Sequence, residues 1–164
     1  MPFLLRGVRK ARWTHDQKPS WLSQTDIPAD TMDDLGTKSN SLSLWHVEDD
    51  ESNLDEVVVA IAASRDWVAN LDYVLVDLRF LSQLDIPIEA TPVSSPLPEA
   101  DCWHRDLVHL SAQKLVRVAE AMWDSGRTER RSEKAVQQLL AEAVESGRIN
   151  QSKLNDKIRS QILA

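Results

Sequence analysis

The spacing of hydrophobic and polar residues changes along the chain, and each change predicts an element. Pro2–Val8 (PFLLRGV) is a short apolar run that predicts a strand. In Ser41–Glu48 (SLSLWHVE), Leu42 and Leu44 alternate with Ser41, Ser43 and Trp45, the two-residue period of a half-buried strand. Ser52 followed three residues later by Asp55 resembles a capping box. The helix it opens would carry Leu54, Val57, Val58, Ile61 and Val68 on one face, although the β-branched run Val57-Val58-Val59 also suits a strand. Tyr73–Leu81 (YVLVDLRFL) opens with continuous apolar residues, as in a strand covered on both faces. Strand, helix and strand together predict one right-handed crossover with parallel strands, and the N-terminal strand adds a third.

Between these segments, Thr14–Asn40 is punctuated by Pro19, Pro28 and Gly36 and reads as loop, with one helical turn starting near Pro28. Four prolines in Asp85–Pro98 enforce extended backbone, so residues 85–100 are expected to be a linker between an α+β domain (1–84) and a helical region (101–164). The strongest helical pattern is Asp101–Gly126. Val108, Ala112, Leu115, Ala119 and Met122 follow one another at steps of four and three, Leu107 and Val118 widen the stripe, and Gln113, Lys114, Arg117 and Glu120 lie opposite. A helix of six to seven turns is expected, capped by Asp101, closed by a left-handed Gly126, with a break at Ser111. Ser132 is expected to cap a helix ending at Gly147, and Asn150 another bearing Leu154, Ile158 and Ile162. The fold class is therefore α+β, a small mixed sheet with one crossover helix followed by a C-terminal three-helix region.

Composition narrows the function classes. The chain has 164 residues, 42% hydrophobic and 27% charged, which suits a folded protein with a real core. Only four glycines are present, too few for a glycine-rich phosphate loop alongside ordinary turns. Cys102 is the single cysteine, so no internal disulfide forms. Met1–Trp13 holds no apolar run of secretory length, and no stretch approaches the roughly 20 apolar residues of a membrane span. A cytoplasmic protein without membrane partners is expected.

The net charge of −7 is unevenly spread. Residues 1–20 carry five basic side chains against one acidic, residues 21–126 six against 20, and residues 127–164 eight against five. An acidic body with basic ends suits either a basic partner on the body or a polyanion at the ends.

Candidate chemistry is sparse. His104-Arg105-Asp106-Leu107 spells the catalytic-loop string of protein kinases, but Ser111 stands where the metal-binding asparagine is required and the other kinase motifs are absent. His104 and His109 lie about 140° apart on a helix, which does not converge on a metal, and no metal or cofactor is expected. Cys102 near a helix start, with His104 or His109 as base, defines an enzymatic alternative at Cys102–Asp106. The basic cluster Arg9, Lys10 and Arg12, followed by Trp13, could neutralise phosphates and stack on bases. Lys153, Lys157 and Arg159 on the last helix would add phosphate contacts, which defines a nucleic-acid alternative.

Six tryptophans against one tyrosine and two phenylalanines is the oddest feature of the composition. Tryptophan anchors protein interfaces and also pins loops to cores. The leading expectation is a non-enzymatic protein that binds a protein partner through Trp13, Trp21, Trp45 and the acidic turn Asp49, Asp50 and Glu51. The C-terminal helices are a candidate homodimer surface.

Overall fold

The computed structural model describes residues 1–23 and 26–163, so positions 24–25 of the expected loop lie outside the described residues. Six strands among those residues form one sheet: β1 (Phe3–Val8), β2 (Leu42–Val47), β3 (Leu71–Asp77), β4 (Ile88–Ala90), β5 (His104–Leu107) and β6 (Arg127–Arg131). Their order is β4-β5-β2-β1-β3-β6, and each neighbouring pair is antiparallel. The helices are α1 (Leu54–Ala63), α2 (Leu78–Ser82), α3 (Ala112–Ser125), α4 (Glu133–Glu145) and α5 (Asp156–Ile162). The chain is an α+β protein.

The two-residue period of the strands sorts side chains between two cores. Leu5, Val47, Leu71, Tyr73 and Leu75 face α1, α4 and α5, while Leu4, Val8, Leu42, Leu44, Val74, Val76 and Leu107 face α3 and the turn at Ala29–Leu35. Strands covered on both faces lose the polar half of the alternation, which is why β1 and β3 read as continuous apolar runs.

β1 lies in the middle of the sheet. It pairs with β2 on one side and β3 on the other, so β2 and β3 run in the same direction but are held apart by β1. The expected parallel neighbours are thus separated by an inserted antiparallel strand. The basic N-terminal strand is central, and the charged edge is β6, whose sequence RTERR presents arginines that discourage pairing with another chain.

Asp101–Gly126 is not one helix. A 3₁₀ turn at Pro98–Trp103 leads into β5, and only Ala112–Ser125 is α-helical. Ser111 caps that helix, its hydroxyl accepting from the Lys114 N–H, and His109 just before it adopts φ 56°. The outer edge of β2 supplies the reason, since residues 104–107 pair with it and satisfy backbone groups that a helix would leave open on the sheet. Gly126 is extended, at φ −81° and ψ 144°, rather than left-handed. A Cβ there would collide with the Met122 carbonyl oxygen and the Val74 side chain, so close approach explains the glycine.

The α1 cap also differs from the expected capping box. Asn53 precedes the helix and turns its side chain back to β2, with Oδ1 accepting from the Glu48 N–H at 2.8 Å and Nδ2 donating to the His46 carbonyl at 3.2 Å. Val68 is buried but lies beyond the end of α1. β3 stops at Asp77, which caps α2, so the second half of the expected strand is helical.

Ser132 caps α4 as expected, and Gly147 takes the left-handed conformation after it, at φ +76°. Asn150 caps only a short 3₁₀ turn, and Asn155 starts α5.

Residues 85–100 are not a seam in the sheet. They contain β4, and beyond them β5 and β6 pair with β2 and β3 of the N-terminal half. The C-terminal helices are present as expected and lie on both faces of the sheet, α3 on one and α4 and α5 on the other. Of the apolar stripe Ala135, Leu139, Leu140, Ala143 and Val144 with Leu154, Ile158 and Ile162 that suggested a homodimer, Leu140, Ala143, Leu154 and Ile158 are buried within this chain's own core, and Leu139, Val144 and Ile162 pack against it. No helix among the described residues is long and apolar enough to cross a membrane.

Candidate functional site

The sheet opens between β1 and β2. Their ladder runs from Phe3–Val47 to Leu5–Trp45 and ends there, while β1 continues with β3 as far as Val8 and β2 with β5 as far as Leu42. Gly7 and Ser43, which the same register would bring face to face two residues further on, line a cleft instead. The cleft measures about 430 Å³, within the range of small-ligand sites, and is walled by Trp45, by Ile61 and Arg65 from the end of α1, and by Arg6, Arg9, Asp33 and Asp34.

Arg6 is the wedge that holds the strands apart. Its Nη1 donates to the Ser43 carbonyl at 2.8 Å, and Nε and Nη2 both donate to the Asp34 carbonyl at 3.1 and 2.9 Å. Burial lowers the guanidinium pKa and nearby Asp34 opposes that shift; an arginine so placed remains a cation.

Asp34 buttresses this wall. Its Oδ2 accepts from the Arg9 backbone N–H and from the Trp13 indole N–H, both at 2.9 Å, and its Oδ1 lies 3.5 Å from Arg12. Arg12 also pairs with Asp33 at 3.1 Å. The two carboxylates are therefore committed to neighbouring donors, whereas the exposed Arg9 guanidinium has no hydrogen bond or ion pair among the described residues. Arg65 donates from Nη1 to the Asn70 carbonyl at 3.2 Å, and burial lowers its pKa against the opposing effect of Asp72.

Gly7 forms the floor. Its backbone is not in the left-handed region, and the nearest atom that an added Cβ would meet is the Asp72 carbonyl oxygen at 3.9 Å. Neither conformation nor crowding requires glycine here, and what its missing side chain provides is open space.

The residues expected to meet a partner are scattered. Trp13 is 3% exposed, packs 6.3 Å from Trp123 and donates to Asp34, so it anchors the loop to the core and its ring is not presented at the surface. Trp21 is 80% exposed. Trp45 is half-buried in the cleft wall, edge-on to His104 at 5.1 Å. Asp49, Asp50 and Glu51 lie at the far end of β2. Asp49 pairs with the terminal amine at 3.5 Å, Asp50 accepts from the Ser52 N–H at 3.0 Å, and Glu51 pairs with Arg127. The Ser52 hydrogen bonds hold the Asp50 carboxyl below the usual carboxylate range.

Of the cations singled out for phosphate, Arg9 lies in the cleft and Lys153 lines an adjoining hollow that shares Arg65 with it. Lys157 sits 5.8 Å above the Trp67 ring. Lys10 is half-buried, its backbone N–H donating to Asp72 at 3.2 Å, and Arg12 and Arg159 are engaged by acidic neighbours.

No hydrogen bond joins Cys102 to His104 or His109 among the described residues. The exposed Cys102 thiol donates to the Glu99 carbonyl at 3.4 Å, and His104 is buried with Nδ1 2.9 Å from the Thr91 hydroxyl. Asp101 accepts from the Ser95 N–H at 3.1 Å. The same residues show no group of three or more His, Cys, Asp or Glu placed to hold a metal ion.

Comparison with protein-family models, curated proteins and solved structures finds no match for this chain. Sequence reasoning missed Gly7, Ser43, Ile61 and Arg65 as a group. The one signal available was a glycine inside an otherwise apolar strand, which marks a close approach or an opening.

Proposed function

We propose that this chain is a non-enzymatic binding protein whose cleft between β1, β2 and the end of α1 receives a negatively charged group carried by its partner. Gly7 carries the reading. A glycine inside a strand costs roughly 0.5–1 kcal/mol relative to alanine, and its surroundings would accept a larger residue. The space it preserves lies beside Arg9, whose guanidinium has no partner among the described residues, and Arg65, which keeps donors to spare. A carboxylate or phosphate entering there would meet two guanidinium groups and the N–H groups of strands that have parted.

The test is an amide NMR titration with a short acidic peptide and with inorganic phosphate. With only four glycines in the chain, the Gly7 resonance can be followed directly. It should move together with those of Arg9 and Ser43, and Gly7→Leu, which fills the floor, should abolish the response. Shifts confined to other surfaces, or a response unchanged in Gly7→Leu, would remove the reading.

A second reading rests on Trp21. An indole 80% exposed on a loop is a ready anchor for a protein partner. Trp21→Ala should release a salt-resistant protein partner while leaving the melting temperature unchanged, and retention of that partner by the variant would count against this surface.

A further inference from the structure

The cleft does not end at its own walls. Arg65 lines it together with Arg9, lines a second hollow of about 460 Å³ with Lys153, Leu154, Asn155 and Ser94, and lines a third of about 360 Å³ with Trp67 and Ala69. One guanidinium thus joins three depressions. The basic N-terminal segment and the basic C-terminal segment, remote in sequence, meet on either side of it. Trp67 is 54% exposed, and Lys157 stands 5.8 Å from its ring centroid, adding a cation to the same stretch. Asp66 is the exposed carboxylate among these residues that opposes the cations, since Asp33 and Asp34 are taken up by Arg12.

Cations on both sides of Arg65 suit a ligand with repeated negative charge, and an exposed indole suits one that also carries flat rings. A carboxylate-rich peptide satisfies the first condition alone. Duplex nucleic acid offers no free base face to the indole. We infer that the joined hollows bind single-stranded nucleic acid, with Arg9, Arg65 and Lys153 on successive phosphates and Trp67 stacked on a base. This inference rests on the anion-binding reading of the cleft and names its occupant.

The experiment is fluorescence anisotropy of the full chain with a short labelled oligothymidylate over a salt series. Thymidine monophosphate and polyglutamate serve as competitors. Three phosphate contacts at about 0.7 each give a log–log salt slope of roughly −2 for a single strand. Arg9→Gln and Lys153→Gln, both at exposed residues, should each flatten that slope by about 0.7. Trp67→Ala should weaken binding roughly fivefold or more without changing the slope. Asp66→Asn should tighten binding.

Absence of oligothymidylate binding overturns the inference. If an acidic peptide still moves the Gly7 resonance, the cleft reading survives that result, and if it does not, both fall. Affinity unchanged in Trp67→Ala, or a slope unchanged in both cation variants, also overturns it. So does monophosphate that competes as well as the strand, which would assign the site to a free nucleotide, or polyglutamate that does so, which would assign it to an acidic protein segment.

Discussion

Two glycines with ordinary backbone angles should respond to alanine in opposite directions. Gly126 is extended at φ −81°, so alanine meets no conformational barrier there. Its Cβ would, however, run into the Met122 carbonyl oxygen and the Val74 side chain. Neither can yield easily, because Met122 is 1% exposed, Val74 is fully buried, and the same carbonyl accepts the Gly126 N–H at 3.0 Å. Overpacking of this kind costs about 1–3 kcal/mol, with the upper end expected where one partner is backbone. The reduced freedom of the unfolded chain returns about 0.4–1 kcal/mol. A net loss of about 2 kcal/mol lowers the melting temperature of a chain this size by roughly 4–8 °C. Gly7→Ala gains the unfolded-state term without the collision and should raise it by roughly 1–4 °C. The same substitution narrows the cleft floor, so stability should rise while binding falls. Circular dichroism melts and urea titrations of both variants are the assay. A neutral Gly126→Ala, or two shifts of the same sign, would refute the reasoning.

Asp34→Ala should cost about 1–3 kcal/mol in urea unfolding, because it removes the charge facing Arg12 and takes away the oxygen that accepts from the Trp13 indole N–H and the Arg9 backbone N–H. Asp33→Asn, at a side chain 70% exposed, should cost little by comparison. Asp72 has its carboxyl held below the usual range, first by the Arg130 side-chain hydrogen bond and also by the Lys10 backbone N–H. A depressed carboxylate pKa contributes stability above its unfolded value of about 4 and loses it as pH falls through the native value. Asp72→Asn should therefore flatten the acid limb of stability against pH, measured by urea midpoints from pH 7 downward; an unchanged acid limb would dismiss the pair. Ser111→Ala should cost about 1 kcal/mol in the same titration through loss of the α3 cap.

The cleft was only partly legible because it is assembled by divergence rather than by a motif. Arg6 stands three residues before the basic cluster Arg9, Lys10 and Arg12, yet its role as a wedge depends on Ser43 and Asp34, 37 and 28 residues away. Trp13 and Trp21 look alike in sequence, eight positions apart in one loop-rich stretch. One is buried and the other exposed because Asp34 reaches the first with a hydrogen bond and Trp123 packs against it.

Local pattern by itself determined the elements whose stabilising groups lie close together in sequence. The α4 helix has its cap at Ser132 and its closing Gly147 within one short segment, and both are found where the sequence predicts. The continuous apolar start of β3 likewise predicted a buried strand. Tertiary structure decided whatever depended on which backbone needed a partner. Residues 104–107 carry part of a helical stripe but become β5 because the free edge of β2 requires hydrogen bonds. β1 enters between β2 and β3 because its apolar residues on both faces must be covered at once. The place where β1 and β2 part follows from Arg6, whose guanidinium needs carbonyl partners and takes one from the strand beside it.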